Sequence, residues 1–468
     1  MYLENLIKIL KKCLTMVVKN VAAALNTLSR RYTLNTIIDI KKKLMDEIQK
    51  LEQNKDDYVS QPGKDFSRKR KLSFANVISS LISMEAGSIR SELLEYFSYN
   101  PDMPTTSAFI QQRDKISHLA LRNLFYSFTS TLNPKPSAVS YHYYAVDGSK
   151  VNIPMVTDSD EDYTYFSRED QRLYCQIHLD AIFDLENQQY KGADFCPRKQ
   201  NNERAAFHSM LDELSFPQKS VFIFDRGYEG YALMAHISSK NQYYVIRAKD
   251  RKNGGIIKGI NIPDTDEFDI VNDKIYIHRM KKAYQEQSER YQVVHKTQSP
   301  YFLNKETKEF PMKFRVVRLR LDNGSYECLL TNLPSDEFDI NALKEIYHRR
   351  WGIETSFRYL KYTIGLTAFH AKKVEAIKQE IWSRLIMFNF CSEIEKTVPH
   401  KEKTEKYEWI INFTNLVLLC RKILLLDYSE LPAIGELISR VVSPVRPGRT
   451  NPRIKRRQRK STFNYKIR

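Results

Sequence analysis

The sequence predicts an α/β protein with helical regions on either side. Three observations lead there. From residue 139, strand-like runs such as "SYHYYAVDGSKVNIP" and "SVFIFDRGY" alternate with helix-like ones. Residues 250 to 335 read as all β. The flanks, 1–135 and 371–445, read as helical, with few strand-like runs. With 468 residues and 42% hydrophobic content, the chain has apolar material for two to four cores.

Within 1–135, a basic patch "SRKRK" spans 67–71, which a solvated loop explains as readily as contact with a polyanion. Asn100-Pro101 and Pro104 mark a turn. "TTSAFIQQRDKISHLALRNLFYSF" then reads as one helix capped by Thr105, Thr106 or Ser107. In the segment 136–249, "YCQIHLDAIFDLENQQYKGADF" gives two strands joined at Asp184–Asn187, and "NNERAAFHSMLDEL" gives a helix. "SVFIFDRGY" is a buried strand, "GYALMAHISSKN" a helix and "QYYVIRAK" a strand. In 250–335, the strands "DKIYIHRM", "RYQVVHK", "FRVVRLRL" and "SYECLLTNLP" are punctuated by Asn253-Gly254 and Asn323-Gly324. A helix covers 336–370, and further helices follow at 372–398 and 404–440. The tail, 446–468, holds ten Lys or Arg and no acidic residue. Such a run orders on meeting a polyanion.

The chain carries 74 Lys and Arg against 56 Asp and Glu, a formal charge of +18. That excess favours a polyanionic partner, nucleic acid first. The six cysteines are scattered, with no C-x-x-C pair and no nearby His doublet. This argues against a zinc site or a disulfide framework and fits a reducing cytoplasm. Lysines break up the apolar amino terminus, which reads as an amphipathic helix; no segment reads as a membrane span.

The segment "YHRRWGIETSFRYLK", 347–361, carries the most organised polar pattern. On a continuous helix, Tyr347, Arg350, Glu354 and Lys361 share an arc of about 60°. Ile346, Ile353, Phe357, Leu360 and Ile364 form an apolar stripe beside it. Upstream, Asp147 closes the strand "YYAVD" and Asp225 closes "VFIFD". Two strands of one sheet ending in Asp could bring two carboxylates close together, and their repulsion would be costly unless a cation sits between. Glu354 completes the set if its helix packs beside those strands. An all-oxygen donor set with open positions suits Mg2+ or Mn2+. Each residue also has a plainer reading: Asp147-Gly148 as a turn, Asp225 as a helix cap, and Glu354 as the partner of a neighbouring arginine.

Tyr347, Arg350, Glu354 and Lys361 fit the pattern Y-x2-R-x3-E-x6-K at every spacing, and "AVDGSK" and "FDRGY" precede it in order. In these features the chain resembles the DDE transposases of bacterial insertion sequences. "FSRKRKLSF" and "SAFIQQRDKI" are similar to that family's amino-terminal region, so the resemblance runs from about residue 60 to 370. It implies a ribonuclease-H-like core, with 250–335 as a β-rich insertion between Asp225 and Glu354. It implies that Asp147, Asp225 and Glu354 hold two divalent ions, Mg2+ or Mn2+, for cleavage and joining of DNA strands. Tyr347, Arg350, Lys361 and Arg226 would contact phosphates. Some relatives use a tryptophan in the insertion to hold a flipped base; none of the tryptophans here, Trp351, Trp382 and Trp409, lies in that stretch. Tyr301 and Phe302, which could stack a base, read first as packing of the β core. The helical amino terminus and basic tail would bind double-stranded DNA, both element ends and target. The resemblance further implies a homodimer, with the helices at 405–440 a candidate interface, and a bacterial cytoplasmic protein associated with the nucleoid. Two other readings share these features: a nuclease on the same fold that cuts without joining, and a DNA-binding derivative that no longer cuts.

Overall fold

The computed structural model describes residues 34–132, 141–155, 161–167, 172–250, 254–279, 282–295 apart from 286 and 288, 308–397, and 408–445 apart from 432–436 and 439. Two compact units emerge: residues 1–132 with 362–468, and residues 133–361.

The first unit opens with helix α1 (residues 34–53), followed by α2 (Phe74–Ser83), α3 (Ile89–Tyr96), α4 (Thr106–Arg113) and α5 (His118–Thr131). Ser73, Ser88, Thr105 and Ser117 cap α2 to α5, each side-chain oxygen accepting a backbone N–H of the first turn. The sequence predicts one helix across 105–128, but the structure breaks it. The N–H of Ser117 donates to the carbonyl of Tyr58, and the N–H of Ser60 to that of Lys115. A long-range backbone pairing, which local propensity does not report, claims the hydrogen bonds a continuous helix would need.

The second unit is built on a ten-stranded sheet. Its elements run β1 (His142–Ile153), β2 (Thr164–Ser167), β3 (Arg172–Asp184), β4 (Gln189–Pro197), α6 (Glu203–Glu213), β5 (Ser220–Phe224), α7 (Tyr231–Ser239), β6 (Tyr243–Ala248), β7 (Phe268–Ile277), the single turn α8 (Lys282–Gln285), β8 (Tyr291–Val293), β9 (Glu309–Arg320), β10 (Tyr326–Thr331), α9 (Ile340–His348) and α10 (Trp351–Arg358). The strand order is β2-β3-β1-β5-β6-β10-β9-β7-β8, with β4 also on β3. Strands β1, β5 and β6 are mutually parallel, while β6–β10, β10–β9 and β9–β7 are antiparallel. The strands of 250–335 therefore extend the same sheet as those of 141–249, with no break where the sequence suggests a separate segment. A core under α6 and α7 gathers Tyr144, Val146, Phe207, Phe222, Phe224, Leu233 and Met234. Residues 301 and 302 lie outside the described residues.

The chain then returns to the first unit with α11 (Val374–Thr397), β11 (Glu408–Ile411), α12 (Phe413–Leu425) and β12 (Val442–Val445). Helix α11 packs against α2, α5 and α12 and is buried along most of its length. Strands β11 and β12 pair as an antiparallel ribbon where the sequence predicts helix alone. The basic tail and the first 33 residues lie outside the described residues. Among the described residues, no helix is long and apolar enough to cross a membrane.

Candidate active site

The parallel pairing of β1 with β5 ends at Val146 against Phe224, so Asp147 and Asp225 are the next residue on each chain. Side chains alternate across a strand, and paired residues share a face. Val146 and Phe224 enter the core under α6, which sends Asp147 and Asp225 to the opposite face. Asp225 stands directly after its strand, as the sequence predicts, and its Oδ1 accepts the N–H of Gly227 at 2.7 Å. Asp147 departs from the prediction. It lies within a twelve-residue strand, and Gly148 continues the pairing opposite Asp180 instead of turning away.

The segment 340–363 covers the face of Asp147, though not as one α-helix. Helix α9 ends at His348, and the N–H groups of Arg350, Gly352 and Ile353 each donate to the carbonyl three residues back. This tighter turn lets the chain start α10 at Trp351. A π-helical turn, Tyr359–Thr363, follows and carries Lys361. The hydroxyls of Tyr190 on β4 and Ser356 on α10 lie 2.9 Å apart, and both residues are buried. Gly352 admits the sheet closely, since a Cβ there would meet Leu185 Cδ2 at 2.7 Å. These contacts to β4 and to the turn after β3 seat α10 on the sheet, where it also packs against β1, the strand that bears Asp147.

Arg350 joins the predicted residues. Its Nη2 donates to Glu354 Oε1 at 2.6 Å and its Nη1 to Asp147 Oδ2 at 3.4 Å. The guanidinium is buried beside the rings of Tyr347 and Trp351. Burial pushes the Asp147 carboxyl up to about 7; Arg350 and the Gly148 N–H oppose the rise, while Asp225 and Glu354 add to it. Lys361 Nζ donates to Ser149 Oγ and to the carbonyl of Lys150, each at 2.8 Å. It thus reaches the strand of Asp147 two and three residues further on, and burial lowers its pKa. Tyr347, Arg350 and Trp351 line a cavity of about 750 Å3 with Arg247, Lys344 and His348. Arg226 is exposed and lines a second cavity of about 350 Å3 with Arg204, Lys249 and His295.

Asp147, Asp225 and Glu354 offer oxygen donors only, and the neighbouring carboxylates add to the rise that burial imposes on Asp147; a hard divalent cation would relieve both. Arg350 supplies part of the positive charge. Among the described residues, the group of His, Cys, Asp and Glu side chains whose donor atoms all lie within 4.8 Å of one another is a different one: His178, Asp180 and Glu203. Sequence reading missed it, although "HLD" on a strand places His178 and Asp180 on one face at a spacing of two. The carboxylates beside His178 outweigh the effect of its burial and push its pKa up to about 9.

A mixed sheet with two acidic residues beyond a parallel strand pair is thus faced by a helix that bears a third acid and is preceded by a buried arginine. Residues 143–390 match the family model described as "Transposase DDE domain". The match spans more than half of the chain, and the chain belongs to this family. It is 37% identical over 75 residues, 16% of its length, to the putative transposase InsL of the element IS186A of Escherichia coli K12. The transposase of the Escherichia coli element IS421 matches at the same identity over the same length. Each of these matches spans 20% of the relative's own length. The putative transposase y4zB of Sinorhizobium fredii is 21% identical over 240 residues, covering 50% of this chain and 55% of that protein. Among solved structures, the piggyBac transposase synaptic complex with hairpin DNA aligns over 89% of this chain and 87% of its own, at 11% identity and a TM-score of 0.41.

Proposed function

We propose that the protein is a DNA transposase of a bacterial insertion sequence, of the type marked by the Tyr-Arg-Glu-Lys row. It would bind the ends of its element, cut them with divalent metal ions and join them to target DNA. The core would then be ribonuclease-H-like. The observation that carries this reading is the shared face: Asp147 and Asp225 leave adjacent strands on the side covered by α10, and Arg350 links Asp147 to Glu354 there.

Asp147, Asp225 and Glu354 would hold two ions, Mg2+ or Mn2+. Bound there, such ions activate an oxygen nucleophile and stabilise the leaving oxygen of an in-line phosphoryl displacement. The chain's own residues do the rest. Arg350 offers a planar fork that can turn from carboxylate to phosphate, and its burial keeps it in place. Tyr347 lines the same cavity and can present its hydroxyl to a phosphate oxygen. Lys361, held along β1, offers a point charge to the neighbouring nucleotide, and Arg226 offers another from the turn after Asp225. The helical amino-terminal region and the basic tail would grip duplex DNA, two chains would pair across two element ends, and the protein would work in the bacterial cytoplasm at the nucleoid.

Joining separates this reading from simple nuclease action. Pre-cut element ends with free 3′-hydroxyls, incubated with a target plasmid and Mg2+, should become covalently attached to it. If intact ends are cut but pre-cut ends never join, the protein is a nuclease on this fold.

A further inference from the structure

We propose that His178, Asp180 and Glu203 bind a transition-metal ion, Zn2+ in the first instance, on the face of the sheet opposite Asp147 and Asp225. Strand geometry sets the two places apart. Gly148 pairs with Asp180 and Lys150 with His178, so these residues share a face that Asp147, one position away, does not. Glu203, the first residue of α6, approaches on that face. The site would therefore tie α6 to β3, behind the strand that carries Asp147.

Three features point to a cation. First, His178 Nε2 lies 3.2 Å from Asp180 Oδ1 and 3.1 Å from Glu203 Oε1. Donors on a tetrahedral zinc with bonds of about 2.0–2.1 Å stand about 3.3 Å apart, so the spacing suits a shared ion. Second, these atoms are close without being hydrogen-bonded. His178 and Asp180 are each 2% exposed, and among the described residues Asp180 Oδ1 and both ring nitrogens of His178 have no hydrogen-bond partner. A proton on Nε2 would supply positive charge, but one N–H cannot align with two oxygens, and the buried Nδ1 would stay unsatisfied. A metal ion accepts several donors at once. Third, the three donors converge over a glycine. A Cβ on Gly148 would stand 2.3 Å from His178 Nε2, 2.9 Å from Glu203 Oε1 and 3.0 Å from Asp180 Oδ1. Any side chain at 148 would fill the place where they meet.

The donor chemistry narrows the ion. An imidazole with two carboxylates suits zinc and its neighbours in the first row, whereas Mg2+ prefers oxygen and keeps its waters. Three protein ligands and one open position is a common zinc arrangement. The scarcity of paired cysteines and histidines in the sequence gives no hint of it, because this set comes from one strand and one helix.

The test is zinc binding by the full-length, untagged protein, stripped with EDTA and returned to buffer with excess Mg2+. Titration calorimetry with ZnCl2 and metal analysis after dialysis give the stoichiometry, and thermal unfolding gives a second readout. One tightly held Zn2+ and a raised Tm are expected. Asp147→Asn and Glu354→Gln should keep both. Glu203→Gln, at a partly exposed helix start, should weaken zinc binding at least tenfold, and His178→Gln and Gly148→Ala should abolish it. No zinc uptake by the wild type overturns the proposal. So does zinc uptake that survives both Glu203→Gln and His178→Gln, or that is lost in Asp147→Asn, which would place the ion on the other face. None of these readouts depends on DNA cleavage, so the proposal can fail while the transposase reading stands, and the reverse.

Discussion

Arg350 holds two acids at once, Glu354 at 2.6 Å and Asp147 at 3.4 Å, from a buried position where its own charge needs them. Its removal would leave two neighbouring carboxylates without their cation. Arg350→Ala should therefore lower DNA cleavage by about 100-fold, the scale on which a lost transition-state donor acts. Arg350→Lys should recover little, because a point charge does not replace a fork that spans two partners. Cleavage rates for both variants, measured at matched DNA occupancy, check this; near-normal cleavage by the lysine variant would mean that charge alone suffices. The pairing of Glu354 with a neighbouring arginine was legible in the sequence, but the grip of Arg350 on Asp147 was not, since 203 positions separate them.

At the scale of elements, the site depends on how α10 is seated. Tyr190→Phe removes the hydroxyl partner of Ser356, which keeps its bond to the carbonyl of Ile353. The variant should lose about 1 kcal/mol of stability, read from urea unfolding, and should cleave more slowly as α10 loosens. An unchanged unfolding midpoint would show that Gly352 against Leu185 seats the helix by itself. Legibility followed local signals here. The run "VFIF" ahead of Asp225 is apolar and bounded by turn residues, so strand and acid could both be read. Asp147-Gly148 looks like a turn, and only pairing with Asp180 across the sheet keeps the strand going. The tightening at Arg349–Arg350 and the π turn at Lys361 involve residues that any helix tolerates, so the wheel placed the four polar residues on one continuous helix that the chain does not form. The β11–β12 ribbon was hidden for the same reason, its partner lying some thirty residues away.

At the scale of the whole molecule, stability and affinity both follow from charge. In the first unit, Arg113 Nη2 donates to Glu380 at 2.9 Å, with all of the pair buried, and His370 Nδ1 lies 3.2 Å from the same carboxylate. Glu380→Gln would leave Arg113 charged and short of its counter-ion, and should cost about 3–5 kcal/mol. The pH dependence has two limbs. Despite burial, Arg113 and His370 hold the Glu380 carboxyl down to about 2, so its contribution is present above the usual carboxylate range and fades as pH falls toward 2. His370 is raised despite burial by Glu380 and Glu92, so its contribution is full below the ordinary histidine value and is lost as pH climbs through the raised one. The stability difference between wild type and His370→Gln should accordingly be greatest near pH 5–6, between those values, and shrink above about pH 6.5; a constant difference up to pH 9 would contradict it. DNA affinity should fall steeply with salt, by about 1,000-fold or more between 50 and 200 mM if six or more phosphates are neutralised, as a formal charge of +18 leads one to expect. That the two flanking helical regions assemble as one unit could not be read from the chain, because α11 meets α2 and α5 only after the whole sheet has intervened.

If the face shared by Asp147, Asp225 and Glu354 cuts DNA, cutting must need both a divalent ion and Glu354. The measurement that bears on this most directly is nicking of duplex DNA carrying the flanking element ends, with Mg2+ or Mn2+ and with EDTA, by wild type and Glu354→Gln. The wild type should produce metal-dependent breaks with 3′-hydroxyl ends, and Glu354→Gln should bind the same DNA without cutting it. Equal binding with no cutting by either protein, or equal cutting by both, would contradict the account.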